Sequence, residues 1–557
     1  MAPAIVYKKT TKYIKTTTEC AQIPKCFINF MRLGQKMHWE PRYSSAHHTA
    51  AAILTNSILV RSKCLHRFPL PRIGQNKLVT VLTIHMEKQN NKEELKRGLQ
   101  NRHIQLIALG GAIGTGLFLG IGKAATLAGP AVILGYAFAG IIAFFIMRQL
   151  GEMVVEEPVS GSFSYFANKY WGSFAGYASG WNYWVLYILV SMAELTAIGV
   201  YVQFWWPEIP LWASSLFFFF AINALNLASV KIYGETEFWF SIIKVIAIIA
   251  MIFFGVYLLV SGTGGEQASL SNLTSHGGFF PKGWFNETSD GNFEGLLSAM
   301  ALIMFSFGGL ELVGITAAEA EHPEKNIPKA TNQVIYRILI FYVGALIILF
   351  SLTPWTNITA DTSPFVLVFD KLNGFEFTLF GKTFYFTKII ANALNLIVLT
   401  AALSVYNSSV YSNSRMLYGL AEQGNAPRFL SKLNKNHAPI NAILVSALFA
   451  AICVFINYVA PKNALEILMS LVVSSLIINW VMISITHLYF RKNKLDAHLR
   501  TKFPSFLYPL SNYICLIFLI AVLGIMWITG MKLPVELIPA WLILLYVSYV
   551  LIKRKKS

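Results

Sequence analysis

From about residue 104 the chain alternates long apolar stretches with short polar connections. The apolar stretches fall near 104–122, 130–151, 176–204, 211–228, 238–261, 294–317, 334–354, 387–413, 439–460, 464–490, 506–529 and 534–552. A helix needs about 20 apolar residues to cross the hydrocarbon core of a bilayer. Inside lipid every backbone N–H and C=O has to be paired, so an open chain crosses as helices. The pattern predicts an all-α polytopic membrane protein with twelve transmembrane helices over 104–552. Residues 1–85 hold no run of that length. They read as a non-native or disordered extension ahead of a start at Met86, the other reading being a transit peptide, basic and poor in acids. Residues 86–103 then form a short charged cytoplasmic tail, and 553–557 a basic one.

Two predicted helices are interrupted by glycine. The first contains Gly110-Gly111-Ala112-Ile113-Gly114-Thr115-Gly116, and the sixth Phe305-Ser306-Phe307-Gly308-Gly309. Glycine inside a helix costs about 1 kcal/mol relative to alanine, so paired clusters need a reason. Close helix packing through small-xxx-small spacing is one. The other is a five-plus-five inverted repeat whose two broken helices unwind at mid-membrane around a ligand. An unwound half-helix offers N–H groups to a carboxylate at its start and carbonyls to an ammonium at its end. Together these suit a free α-amino acid.

Charged groups at membrane depth are costly and default to function. Glu194 lies in the third predicted helix, Lys244 in the fifth and Glu311 in the sixth. Structural ion pairing that fixes helix packing is the competing explanation for all three. Tyr187, Ser191 and Glu194 fall at i, i+4 and i+7 and share one face. Arg337 and Lys388 read as anchors that snorkel to the interface, and Glu152, Glu156 and Glu157 as loop structure.

Composition and charge narrow the class further. The chain is 55% hydrophobic and 13% charged, against about 25% charged in soluble domains. The net charge of +18 raises nucleic acid as a partner. However, 1–85 hold 13 Lys/Arg against 2 Asp/Glu, leaving 32 against 25 for the rest, which suits basic cytoplasmic loops rather than nucleic acid. Counted from Met86, one set of alternate connections and both tails hold 23 Lys/Arg and the other set about seven, so both termini should be cytoplasmic. The five cysteines show neither metal spacing nor a disulfide framework. No catalytic His/Asp pair, nucleophile elbow or P-loop is present, which argues against an enzyme, a metal site or an ATP-driven pump.

At this point the text itself becomes recognisable. RGLQNRHIQLIALGGAIGTGLFLGIG, SGWNYWVLYILVSMAELTA, YGETEFWFSIIKVIAII, IMFSFGGLELVGITAAEAEHPEKNIPKATNQVIYRIL and LSVYNSSVYSNSRMLYGLAEQGNAP resemble the bacterial amino acid transporter family of the amino acid–polyamine–organocation superfamily. Within it the likeness is to aromatic amino acid and phenylalanine permeases, from about Leu95 to Lys555. The resemblance implies a LeuT-type inverted repeat plus two C-terminal helices, in a bacterial inner membrane. It implies a substrate carboxylate at Gly114, Thr115 and Gly116, and an amine at the carbonyls of Ala112, Phe305 and Gly308. An aromatic gate at Phe305 or Phe307 and side-chain selection by Tyr187 follow in the same way. So does proton coupling through Lys244, with Glu194 and Glu311 as further candidates. The implied activity is import of Phe, Tyr and Trp by proton symport, with no cofactor beyond the proton gradient and no obligate protein partner. A permease-fold sensor, or a permease for another neutral amino acid, is the alternative. The connections at 281–294 and 371–386 look long for the family.

Overall fold

The structure is a computed structural model. It describes residues 102, 106 and 113–554, apart from 160, 229, 266, 292, 317–321, 360–362, 372–375, 380, 381 and 460–463. The expectations for 1–85, for most of 86–103 and for Ala112 therefore lie outside the described residues.

A π turn at Gly116–Gly120 runs into α1 (Ile121–Ala128), and α2 (Val132–Glu156) follows. Gly129, at φ 60°, and Pro130 separate the two. Glycine adopts that φ freely, and proline starts a helix where its missing N–H is no loss. Then come α3 (Ser173–Gln203), α4 (Leu211–Ala228) and α5 (Val230–Ser261). The predicted stretch 294–317 is two short helices, α6 (Met300–Phe305) and α7 (Leu312–Thr316), with turns between them. Another π segment, Ile338–Gly344, joins α8 (Pro323–Arg337) to α9 (Ala345–Leu352). The remaining long helices are α10 (Phe386–Glu422), α11 (Ile440–Ala450), α12 (Ile452–Val459), α13 (Ala464–Asp496), α14 (Leu510–Ile528) and α15 (Lys532–Arg554).

Among the described residues nine helices are long and apolar enough to cross a bilayer. The first of these, Gly116–Glu156, takes in two predicted stretches, and Leu211–Leu227 counts as a shorter apolar helix. Breakage at 306–311 removes another from that number. The chain is a multi-pass helical membrane protein. Its connections are less purely helical than expected: β1 (Asn286–Glu287) pairs with β2 (Phe293–Glu294), and β3 (Glu376–Leu379) with β4 (Lys382–Tyr385), both antiparallel. Those are the two long connections, where FEFTLF and KTFYF carry strand-forming aromatic and β-branched residues.

The polarity runs inside out, as lipid demands. Phe217, Phe253, Leu448 and Ile517 lie exposed on the outer faces. Hydroxyl and amide side chains are buried, notably Ser404, Asn407, Ser408, Ser412 and Asn413 of α10. Small polar residues let helix backbones approach closely without stranding a polar group in lipid. α3 and α13 lie deepest, with 83% and 78% of their apolar windows buried, while α15 has only 6% and lies at the edge.

Candidate functional site

Helical bonding before α1 begins abruptly at Gly114, whose carbonyl accepts from the N–H groups of Leu117 and Phe118. Thr115 is therefore at the positive start of a half-helix, where an anion is favoured. That position is filled from within the protein. The Thr115 N–H donates to Glu194 Oε1 at 3.3 Å, and its Oγ1 donates to Oε2 at 2.5 Å. Glu194 reaches there from the buried face of α3 that it shares with Tyr187 and Ser191. Ser191 bonds back to the Tyr187 carbonyl, so it satisfies its own helix.

Gly116 meets the second break. A Cβ there would sit 2.6 Å from Ser306 Cα and 2.9 Å from the Phe305 ring. The glycine is required by close approach of two backbones, the tight packing that was one of the two reasons read for these clusters. At Gly114 a Cβ would strike Val405 at 2.6 Å and Glu194 at 3.0 Å.

Past Phe305 the bonding tightens to i→i−3, with Ser306 N–H to the Ile303 carbonyl, Phe307 to Met304 and Gly308 to Phe305. Gly309 then takes φ 97°, which needs glycine. The two aromatic candidates separate here. Phe305 lines the cavity described below. Phe307 does not. It is fully buried and stacks on Tyr342, ring centres 4.9 Å apart. Glu311 is fully buried, accepts a long 3.5 Å bond from the Tyr187 hydroxyl, and has no hydrogen-bond partner at Oε2.

Lys244 lies behind the first break rather than in the cavity. Its Nζ donates to the Ile113 carbonyl at 3.1 Å and to Ser404 Oγ at 2.8 Å. Ser404 in turn donates to Glu237 Oε1 at 2.5 Å. Glu237 lies just outside the fifth apolar stretch, 238–261, because α5 begins earlier, at Val230. The available signal was spacing, since Glu237 and Lys244 are i and i+7 on one helix face.

One anchor and one loop assignment read from sequence need correction. Arg337 does not snorkel, being 1% exposed in the protein interior, where burial is tolerated because its guanidinium has partners. Glu152 and Glu156 are not loop residues. They end α2, and Glu152 is fully buried against His487 of α13 at 2.9 Å. The Lys388 side chain is outside the described residues.

Gly114, Gly116, Tyr187, Glu194, Phe305, Gly308 and Glu311 surround one cavity, with Leu186, Val190, Ser306, Gly309, Leu312, Val405, Ser408 and Val472. It is small, ≈ 20 Å³, room for about one water. Its wall carries two carboxyl groups, two interrupted backbones, the serines Ser306 and Ser408, and an otherwise apolar or aromatic lining. The cavity lies where the segment starting at Gly114 meets the break between α6 and α7.

Comparison with known sequences makes the class specific: the pattern of the amino acid permease family matches residues 103–556, and the chain belongs to that family. It is 64% identical over 473 residues to the Aromatic amino acid transport protein AroP of Escherichia coli K12, covering 85% of this chain and 98% of the relative. The protein of that name from Salmonella typhimurium is 63% identical over 465 residues, 83% and 97% of the two chains. Amino-acid permease AapA of Bacillus subtilis is 41% identical over 461 residues, 82% and 95% of the two chains.

Proposed function

We propose that this chain imports aromatic amino acids by proton symport across the bacterial cytoplasmic membrane, through twelve helices with both termini inside the cell. The names of its relatives, at 64% and 63% identity over nearly their whole lengths, support the substrate class. The lining supports it too. Tyr187, Phe305, Leu312, Val405 and Val472 provide an apolar, aromatic surface for a ring.

One observation carries the mechanism, namely that Thr115 already holds a carboxylate. When substrate arrives, its α-carboxylate takes the Thr115 N–H and hydroxyl, and Glu194 gives them up. Two carboxylates side by side in a low-dielectric site repel strongly, so Glu194 leaves carrying a proton. Substrate and proton then enter together. The substrate ammonium lies toward the open oxygen of Glu311 and the carbonyls of the α6–α7 break. Lys244 holds the Ile113 carbonyl and so steadies the carboxylate end. A cavity of ≈ 20 Å³ does not hold an aromatic ring, so Phe305 and its neighbours swing aside as the site fills.

The test is uptake of labelled Phe, Tyr, Trp and Lys into proteoliposomes under an imposed pH gradient, with Glu194→Gln beside the wild type. The wild type should accumulate the three aromatic substrates and not Lys. Glu194→Gln should exchange substrate across the membrane and no longer accumulate it in response to pH. Accumulation without a proton gradient, or normal pH-driven accumulation by Glu194→Gln, would overturn the coupling.

A further inference from the structure

Arg337 is among the largest fully buried side chains of the protein, and nothing above assigns it a task. Its NH2 group donates to the Tyr342 hydroxyl at 2.9 Å, and that hydroxyl donates to the Ser306 carbonyl at 2.7 Å. The direction of this chain is fixed by chemistry. A guanidinium has only donors, so the phenol oxygen accepts from Arg337 and its single proton is left for the carbonyl. The turns after Ser306 give that carbonyl no helical N–H, because bonding there runs i→i−3 and ends at the Phe305 carbonyl. Tyr342 supplies what the broken helix lacks.

A second tyrosine grips the same residue. Tyr136 of α2 lies 2.8 Å from Ser306 Oγ, and its ring stacks on Tyr342 at 5.4 Å. Phe307 completes the stack, 4.9 Å from Tyr342 and 6.0 Å from Tyr136. The local helix form makes the contact possible. Arg337 and Tyr342 are five residues apart, about 140° apart around a regular α-helix. The π segment Ile338–Gly344, with i→i+5 bonding, turns less per residue and brings positions five apart closer to one face. Ser306 is also the residue whose backbone touches Gly116. A grip on Ser306 therefore sets where the two broken helices meet.

We infer that Arg337 is a positioning residue for transport: through Tyr342 it orients the Ser306 carbonyl and holds the α6–α7 break in its binding-competent shape. The inference rests on the reading of this cavity as the substrate site. It makes Arg337 and Tyr342 members of one series, so that cutting either link loses the whole effect.

The experiment compares wild type with Tyr342→Phe, Arg337→Met and the double variant, all as the full chain in detergent or nanodiscs. Tyr342→Phe keeps the ring stack and removes only the hydroxyl, so it decides the question even where Arg337→Met fails to fold. Hydrogen–deuterium exchange over 303–312 without substrate should rise in both single variants, with global melting little changed. KM for labelled Phe should rise about tenfold in each, while Vmax changes less. The double variant should be no worse than the more affected single one. Unchanged exchange over 303–312 in Tyr342→Phe, unchanged KM, or additive losses in the double variant would each overturn the proposal. A wild type that binds no aromatic amino acid would instead overturn the substrate reading, with the exchange result still deciding the clamp.

Discussion

At the scale of single residues two of the cavity's glycines differ in what they forbid. Gly116 has the Ser306 backbone where a Cβ would go, at 2.6 Å, and backbone does not give way cheaply. At Gly308 the nearest atoms are the Phe305 carbonyl at 3.4 Å and Leu476 at 3.8 Å, which is ordinary contact. Overpacking a tight site costs about 1–3 kcal/mol or more. Gly116→Ala should therefore lower the melting temperature and the amount of folded protein. Gly308→Ala should fold normally and raise KM for Phe roughly tenfold by narrowing the cavity. The sequence marks both glycines but does not tell them apart, because the approach of Ser306 is a long-range contact that local pattern does not carry. Tyr187 and Phe305 were legible as cavity residues. Phe307 was not separable from Phe305, since two residues of one break turn to opposite sides only once its turns are known.

Outside the spans, Glu157 offers a residue with a pH signature. Burial alone would raise its carboxyl, but hydrogen bonds from Lys169, at 2.6 Å, and Tyr170 outweigh it and hold the group below its ordinary 4.5. A carboxyl depressed in the folded protein contributes stability above its unfolded pKa and loses it as pH falls through the folded value. Wild-type melting temperature should accordingly fall as pH drops below 4.5, and Glu157→Gln should fall less steeply over the same range. Equal slopes would remove Glu157 from the account.

Among elements, α5 shows how much and how little periodicity reveals. Its length and apolar character were plain, and so was the cost of Lys244, roughly 2.5–3.5 kcal/mol at mid-membrane on insertion scales. What compensates it lies partly on other helices: the Ile113 carbonyl at the start of the first half-helix, Ser404 on α10, and Glu237 one hydrogen bond further. None of these is local in sequence except Glu237. On the proposed symport this array steadies the seat that Glu194 must vacate with its proton, so Lys244→Ala should keep substrate exchange and lose pH-driven accumulation, and Ser404→Ala should show the same defect in milder form. Uptake and counterflow assays on the two variants in parallel check this. A Lys244→Ala carrier that accumulates with normal pH dependence would leave the lysine a packing role. The broken α6–α7 pair was legible as an interruption, whereas the π segment between α8 and α9 was not, because the bond pattern of a helix leaves no mark on its hydrophobic spacing.

Over the whole molecule, the ends of α2, α13 and the segment leading into α14 are fastened by a buried polar cluster. Asn512 donates to His487 Nδ1, which leaves Nε2–H to donate to Glu152. Ser505 N–H bonds the same carboxylate oxygen at 2.7 Å, and Arg491 lies 3.1 Å from the other. Removing the donor from a buried acceptor typically costs about 1–3 kcal/mol, and more where the acceptor is charged. His487→Phe should lower the melting temperature by several degrees while leaving KM for Phe near the wild-type value, since no cavity residue takes part. A large change in KM at unchanged stability would show that this cluster belongs to the transport cycle. Glu152 was visible in sequence, but its burial was not, since it depends on α13 returning beside α2 more than 300 residues later.

The carboxylate seat at Thr115 has a consequence for what the carrier refuses. A site that is vacant at rest admits anything that fits its walls, but on the proposed mechanism this one is guarded by a tethered competitor. Glu194 never diffuses away, so only a ligand bringing its own carboxylate can evict it and take both Thr115 bonds. Aromatic amines such as phenethylamine and tyramine share the ring and the ammonium and lack that group. They should neither be carried nor slow the uptake of Phe, however well their rings suit the lining. In Glu194→Gln, where the guard is neutral and binds less firmly, the same amines should begin to compete. Selectivity here would then reside in the tenant as much as in the room.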